Sequence, residues 1–311
     1  MTFTVGKGGD YEKISEALKA ADGFGGEAVI NILPGRYREK LEVRRPYTVL
    51  RGEAPETTVI TYGDFANDLM PDGSRRGTFR SYTLLLDGAG ICLENLTVEN
   101  GAGFNEGAGQ AVALYAEGDG ITLKNCRLIS SQDTLFTGPL PKSERIAGGF
   151  VGPKEHSPRI NGRQYYFNCY ICGGVDFIFG SATAYFEGCT IESVDRRSGY
   201  VTAASTPEGQ KYGYLFYKCS FIGKCPEKSV FLGRPWRDHA RVVIRNCRLG
   251  EHIRPEGWND WQREQTHKTA FFAEYMNTGP GADTSERVGW SHILTDEEAE
   301  EYTLEKITGA E

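Results

Sequence analysis

Two aspartates in this 311-residue chain stand at matching places in its pattern. Asp133 follows Cys126 by seven residues, and Asp176 follows Cys169 by seven. If the two cysteines share one column of a repeating structure, the two carboxyls sit on neighbouring strands, roughly 5 Å apart on one outer face. Carboxylates that close resist being ionised together, so one pKa rises and a proton is shared. Such a pair offers a carboxylate nucleophile and a carboxylic acid donor near neutral pH. Acyl transfer can use that arrangement, and so can retaining glycoside cleavage, whose two carboxyls lie about 5 Å apart. The pair alone leaves both open.

The elements that must position the pair emerge when the apolar runs are laid beneath one another. Ile91-Cys92-Leu93-Glu94-Asn95-Leu96 aligns with Ile121-Thr122-Leu123-Lys124-Asn125-Cys126. The pattern returns at Tyr166-Phe167-Asn168-Cys169, Phe186-Glu187-Gly188-Cys189, Tyr217-Lys218-Cys219 and Ile244-Arg245-Asn246-Cys247. Leu96, Cys126, Cys169, Cys189, Cys219 and Cys247 thus form one column, spaced 30, 43, 20, 30 and 28 residues apart. Short alternating strands and turn residues at that period, with few helical patterns between them, predict a solenoid. The expected fold is all-β, a right-handed parallel β-helix whose stacked inward column favours a small apolar side chain. The 43-residue interval carries an excursion from Gly138-Pro139 to Asn161-Gly162, expected as a long surface loop.

Solenoid ends need covers. Asp10 is a plausible N-cap for a short amphipathic helix with Ile14, Ala17, Leu18 and Ala21 on one face, suited to close the first coil. Thr295-Asp296-Glu297-Glu298 has the form of a capping box opening a C-terminal helix. No linker interrupts the chain, so residues 1–311 are expected to form one domain.

Composition narrows the function. A net charge of −7 and a pI near 5.5 exclude a nucleic-acid partner. The same charge suits a polyanionic ligand only if that ligand is largely esterified or the groove is locally basic. No run of eighteen apolar residues exists to span a membrane. The start Met1-Thr2-Phe3 lacks the features of a signal peptide. It fits a cytoplasmic protein if Met1 is the native start, or a secreted one shown without its leader. Eight cysteines spread through the chain form no dense disulfide framework, and Cys169 and Cys172, a lone CxxC, point to opposite faces of a strand. They are expected as buried structural thiols. The five histidines show no metal-ligand spacing.

At the aspartates the chain resembles the pectin methylesterase (pectinesterase) family, carbohydrate esterases with a parallel β-helix fold, and within it bacterial members. Five blocks carry the likeness: Gly35-Arg36-Tyr37-Arg38-Glu39, Gln110-Ala111-Val112-Ala113-Leu114, Gln132-Asp133-Thr134-Leu135-Phe136, Asp176-Phe177-Ile178-Phe179-Gly180 and Leu232-Gly233-Arg234-Pro235-Trp236. The resemblance implies a hydrolase that removes methyl esters from polygalacturonate or methylated oligogalacturonides, in pectin degradation and cell wall modification. It implies Asp176 as nucleophile, Asp133 as acid and then base, and Gln110 and Gln132 as holders of the developing oxyanion. Arg234 is implied as the group that fixes and ionises Asp176, and Trp236 as a wall for a sugar ring. Val175 is expected to border the groove; Phe179, with Tyr37 and Glu39, is expected to be mainly structural while lying near substrate. No metal or organic cofactor is required by this scheme, and a monomer is expected. A galacturonan-cleaving hydrolase or lyase on the same fold, or a thioesterase with the same site, are the alternatives. Where the family commonly has an aromatic after the Leu-Gly-Arg-Pro-Trp block, this chain has His239. That difference and the long excursion bear on the preferred methylation pattern.

Overall fold

A computed structural model describes residues 1–194 and 198–309. The repeat is built on a single backbone trick. Asn95, Asn125, Asn168, Gly188, Lys218 and Asn246, each just before a column residue, all have positive φ, between 52° and 64°. Asn and Gly tolerate this left-handed conformation better than other residues. One such residue turns the chain sharply, ending one strand and starting the next. The column residue behind it is then directed inward. Leu96, Cys126, Cys169, Cys189, Cys219 and Cys247 are all at most 1% exposed and belong to the central core.

Among the described residues the coils stack into three parallel sheets of eleven, eight and seven strands. The chain visits them in turn, as in Cys92–Glu94, Thr97–Asn100 and Leu114–Ala116, before returning to the first at Ile121–Lys124. Parallel sheets joined this way form the expected parallel β-helix, right-handed as such crossovers are. Its interior is a column of stacked apolar side chains. Tyr166, Phe186 and Phe216, in register on successive coils, lie with ring centroids 4.5 Å apart and planes 11° from parallel. The eight cysteines are free thiols, Cys169 and Cys172 both buried. Their Sγ atoms donate to the carbonyls of Leu123 and Ser130 respectively.

The helix Ile14–Ala21 closes the first coil, with Ile14 and Ala17 joining the central core. Asp10 is not its N-cap. That carboxylate accepts from the Thr4 N–H instead, and Lys13 stands at the cap position without a side-chain hydrogen bond. The first-turn N–H groups of Ile14 and Ser15 donate to Glu39, at 2.9 and 3.1 Å. A carboxylate from a later coil thus does what a local cap residue usually does, and it meets the positive end of the helix dipole.

At the other terminus, Thr295 and Glu298 form the expected capping box. It opens a helix of only five residues, Asp296–Glu300, followed by a second, Leu304–Thr308. These helices do not plug the last coil. Ala299 and Ile307, with Leu294, pack on the outer face of the eleven-stranded sheet against Tyr185, Leu215, Val243 and Ala273. The excursion after Gly138 also lies on the outside, but it is pinned. Lys154 pairs with Asp87 at 2.6 Å, and Arg159 donates to the carbonyls of Pro141, Lys154, Glu155 and Ser157.

Candidate active site

The seven-stranded sheet brings the two aspartates together. Strand Leu135–Thr137 pairs with Val175–Gly180 so that Leu135 faces Ile178, and Gln132 bridges to Val175. In that register Asp133 lies beside Asp176, as the equal offsets from the cysteine column predict. Both have left-handed backbones, with φ of 60° and 49°. A non-glycine residue held there by its surroundings is the kind of strain that clusters at functional sites. Asp133 is further fixed by its N–H, which donates to the Val175 carbonyl at 3.1 Å. Each aspartate is only 8% exposed.

What separates them is Arg234. The next strand, Gly199–Ala204, pairs with Val175–Gly180, and Val230–Gly233 pairs with that in turn. Arg234 therefore stands two strand spacings from Asp176, roughly 10 Å of backbone separation, which a long side chain can cross. Its Nε and Nη2 donate to the two Asp176 oxygens at 2.8 and 2.6 Å. Tyr200 and Trp261 clamp the guanidinium from either side, their ring centroids 3.8 and 3.7 Å from its central carbon. A planar cation held between two aromatic faces keeps one orientation, and only arginine can both stack there and fork onto a carboxylate.

The electrostatics follow from these neighbours. Burial pushes the Asp176 carboxyl up, and the Arg234 guanidinium pulls it back. Burial pushes Asp133 well above the usual carboxylate range, and the adjacent Asp176 charge adds to the rise. Arg234 and a hydrogen bond from Gln132 offset only part of it. The shared proton therefore belongs on Asp133, leaving Asp176 ionised.

A cavity of about 230 Å³ surrounds the pair. Gln110 and Gln132 line it with both aspartates and Arg234, so two side-chain amides open into the same space. Phe179 and Trp236 form part of its apolar wall. Phe179 is almost fully buried against Phe136, ring centroids 4.9 Å apart, whereas Trp236 is half-buried and stacks on Phe79 at 6.4 Å. Val175 is a neighbour of the pair through backbone contacts and does not line this cavity. Phe79, Tyr200 and Trp261 complete the site without any motif that would single them out. Each comes from a segment whose sequence carries no repeat signal, and Trp261 has only its place in a polar stretch to mark it. Among the described residues no three or more His, Cys, Asp or Glu side chains converge as metal ligands.

An ionised carboxylate, a neutral carboxylic acid beside it, paired amides and an aromatic wall suit acyl transfer to a carboxylate. The family model described as pectinesterase matches residues 2–142 and 158–311; the internal gap, 143–157, lies within the excursion. Pectinesterase 31 of Arabidopsis thaliana is 35% identical over 299 residues, covering 94% of this chain and 86% of its own. The pectin methylesterase from carrot superposes with a TM-score of 0.84 at 30% identity, covering 99% of this chain and 92% of its own. A pectin methylesterase in complex with a hexasaccharide superposes at 0.80 with 30% identity, covering 99% and 97%. With its paired aspartates set on this fold, the chain belongs to the pectinesterase family of carboxylic ester hydrolases.

Proposed function

We propose that the chain hydrolyses the methyl esters of polygalacturonate, as pectin or as methylated oligogalacturonides, by a two-step acyl transfer through Asp176. An Asp176 oxygen attacks the ester carbonyl carbon, and the negative charge that gathers on the carbonyl oxygen is received by the amide N–H groups of Gln110 and Gln132. The tetrahedral species collapses, the C–O bond to the methoxy group breaks, and Asp133 gives it the proton that leaves as methanol. The acyl group is now an anhydride with Asp176. Asp133, ionised, takes a proton from water as the water oxygen attacks the same carbonyl. Collapse returns Asp176 as carboxylate, frees the galacturonate acid and leaves Asp133 protonated for the next cycle.

The observation that carries this reading is the asymmetry of the pair: Arg234 forks onto Asp176 and onto no oxygen of Asp133. That division of labour fits a nucleophile beside an acid. Trp236, at the edge of the same cavity, suits the apolar face of a sugar ring. The test is methanol release from highly methylated pectin, followed together with polymer length. Methanol at constant length, lost in Asp176→Asn and Asp133→Asn, is the expected result. Shortened or unsaturated chains without methanol would overturn it in favour of a chain-cleaving enzyme.

A further inference from the structure

Arg234 belongs to a longer stack. Tyr200, which backs its guanidinium, stands opposite Phe231 on the next coil. Their ring centroids are 5.4 Å apart and their planes 9° from parallel. Val230 bridges to Ile253, so Arg254 follows beside Phe231 on the coil after that. Its guanidinium carbon is 4.8 Å from the Phe231 ring centre. With Trp261 on the cavity side, five planar groups lie in sequence: Trp261, Arg234, Tyr200, Phe231 and Arg254. Each of the two cations is forked onto a carboxylate. Arg234 grips Asp176, and Arg254 donates from Nε and Nη2 to the two Glu256 oxygens, both at 3.2 Å. Tyr200, Phe231 and Arg254 are half-buried, and none of the three lines the catalytic cavity.

The aspartate pair works only while Arg234 grips one carboxyl and not the other. Asp133 lies on the neighbouring coil, about a strand spacing of 4.8 Å away. The guanidinium charge already reaches it. A long arginine stem can pivot between two carboxyls that close unless a rigid plane backs it. Tyr200 supplies that plane only while its own ring is held in place. Phe231 is the group stacked behind that ring, and Arg254, anchored by Glu256, is stacked behind Phe231.

We propose that Phe231 is a positioning residue for the reaction: through Tyr200 it holds Arg234 on Asp176 and off Asp133, with Arg254 fixing the far end of the stack. The inference rests on the esterase reading above and deepens it, naming what keeps two like carboxyls in different roles. When the backing ring is lost, the guanidinium is shared between them. Asp176 then loses part of the cation that keeps it ionised, and Asp133 gains part of one that draws its proton off. Among the described residues, the charged groups acting on the pair are Arg234 and the aspartates themselves, with Gln132 as a neutral donor to Asp133.

The test is the pH profile of kcat/KM for methylated oligogalacturonides in Phe231→Ala. The profile is expected to narrow from both sides, its acid limb moved up and its basic limb moved down. With it kcat falls about tenfold while KM stays close to wild type. Arg234→Gln differs, because losing the cation raises both carboxyls and moves the whole profile up. Phe231→Tyr, which keeps the ring, restores the width; Phe231→Leu, which keeps apolar bulk without a plane, does not. Arg254→Ala narrows the profile in the same sense with a smaller loss, about threefold. A second readout needs no activity. The Arg234 Nε–H, identified in a proton–nitrogen correlation spectrum by its disappearance in Arg234→Lys, exchanges with water faster in Phe231→Ala than in wild type. Wild-type protein that releases no methanol therefore defeats the esterase reading while leaving the exchange measurement to decide the stack. An unshifted profile in Phe231→Ala, or one that Phe231→Leu restores as fully as Phe231→Tyr, overturns the proposal, as does unchanged exchange at Arg234.

Discussion

Asp176 and Asp133 are the same residue type, on adjacent coils and equally buried, and differ in what faces them. Arg234 is therefore the residue through which the pair is best tested. Replacing it by Gln removes the cation that offsets burial at Asp176, so that carboxyl rises further and is protonated at higher pH. The acid limb of the kcat/KM profile should move up in pH, with activity at the old optimum down by about tenfold to a hundredfold. A profile that keeps its acid limb while losing activity would show that Arg234 does not set the charge of Asp176. Asp133 gives the complementary prediction for stability. Its folded pKa lies above its unfolded value, so its contribution is fully present below about pH 4 and is lost as pH rises through the folded value. Asp133→Asn should therefore melt higher than wild type at pH 7 and show no such gain near pH 3.5, measured by thermal unfolding at the two values. The offset from the cysteine column made both aspartates legible in the sequence, because register in a stacked sheet is a counting problem. The clamp of Tyr200 and Trp261 on Arg234 was not legible. It joins residues 27 to 61 positions apart through side-chain orientation alone, for which the repeat provides no signal.

The turns between strands show the same mixture at the scale of elements. Four of the six left-handed positions carry Asn and one carries Gly, which the alternating pattern displays openly; the sixth is Lys218. A long side chain without local hydrogen bonding is the poorest occupant of that backbone. Lys218→Asn should raise stability by about 1 kcal/mol, and Asn168→Ala should lower it by about 1–2 kcal/mol, both read from denaturant midpoints. Equal stability of Asn168→Ala and Asn168→Gly would mean the left-handed turn costs nothing and would sink the argument. The pinned excursion supplies a pH dependence of its own. Glu117 is buried beside it with Oε2 unpartnered among the described residues, and burial pushes its carboxyl up to about 7 despite nearby Lys154 and Arg159. A raised folded pKa means full stability below about pH 4.5, declining as pH passes 7. Proteolytic nicking within 142–152 should accordingly accelerate between pH 6 and pH 8, and Glu117→Gln should flatten that rise. Nothing in the local sequence marks Glu117, since its burial is produced by a loop arriving from later in the chain. Glu39 teaches the same lesson, capping a helix 25 residues away while Asp10, the obvious local cap, is engaged elsewhere.

For the molecule as a whole, a stacked solenoid has an interior that any repeat can supply and an exterior that must be finished separately. The column and the strand alternation make the interior readable from residue types alone. The outer face of the eleven-stranded sheet is another matter: Tyr185, Leu215, Val243 and Ala273 alternate with inward residues and would leave an apolar stripe open to water. The C-terminal segment answers this by running back along that face. Leu294, Ala299 and Ile307 cover the stripe, and Arg245 ties the segment down through the carbonyls of Ala299 and Tyr302, at 2.7 and 2.6 Å. The capping box fixes where the helix begins but not where it lies, which is why its presence was readable and its docking was not. Its contribution can be measured. Ile307, 5% exposed, sits in a pocket of aromatic and branched side chains, so Ile307→Ala should cost about 2–4 kcal/mol through lost contacts and the void left behind. Ending the chain after Leu294 should do more, exposing an apolar strip along several coils and promoting association between molecules. Light scattering and thermal unfolding of both variants decide the point. If the shortened chain stays monodisperse and melts with the wild type, the segment is ornament on a self-sufficient solenoid; if it associates or melts early while Ile307→Ala is destabilised alone, the return of the chain along its own flank is part of the fold that presents the active site.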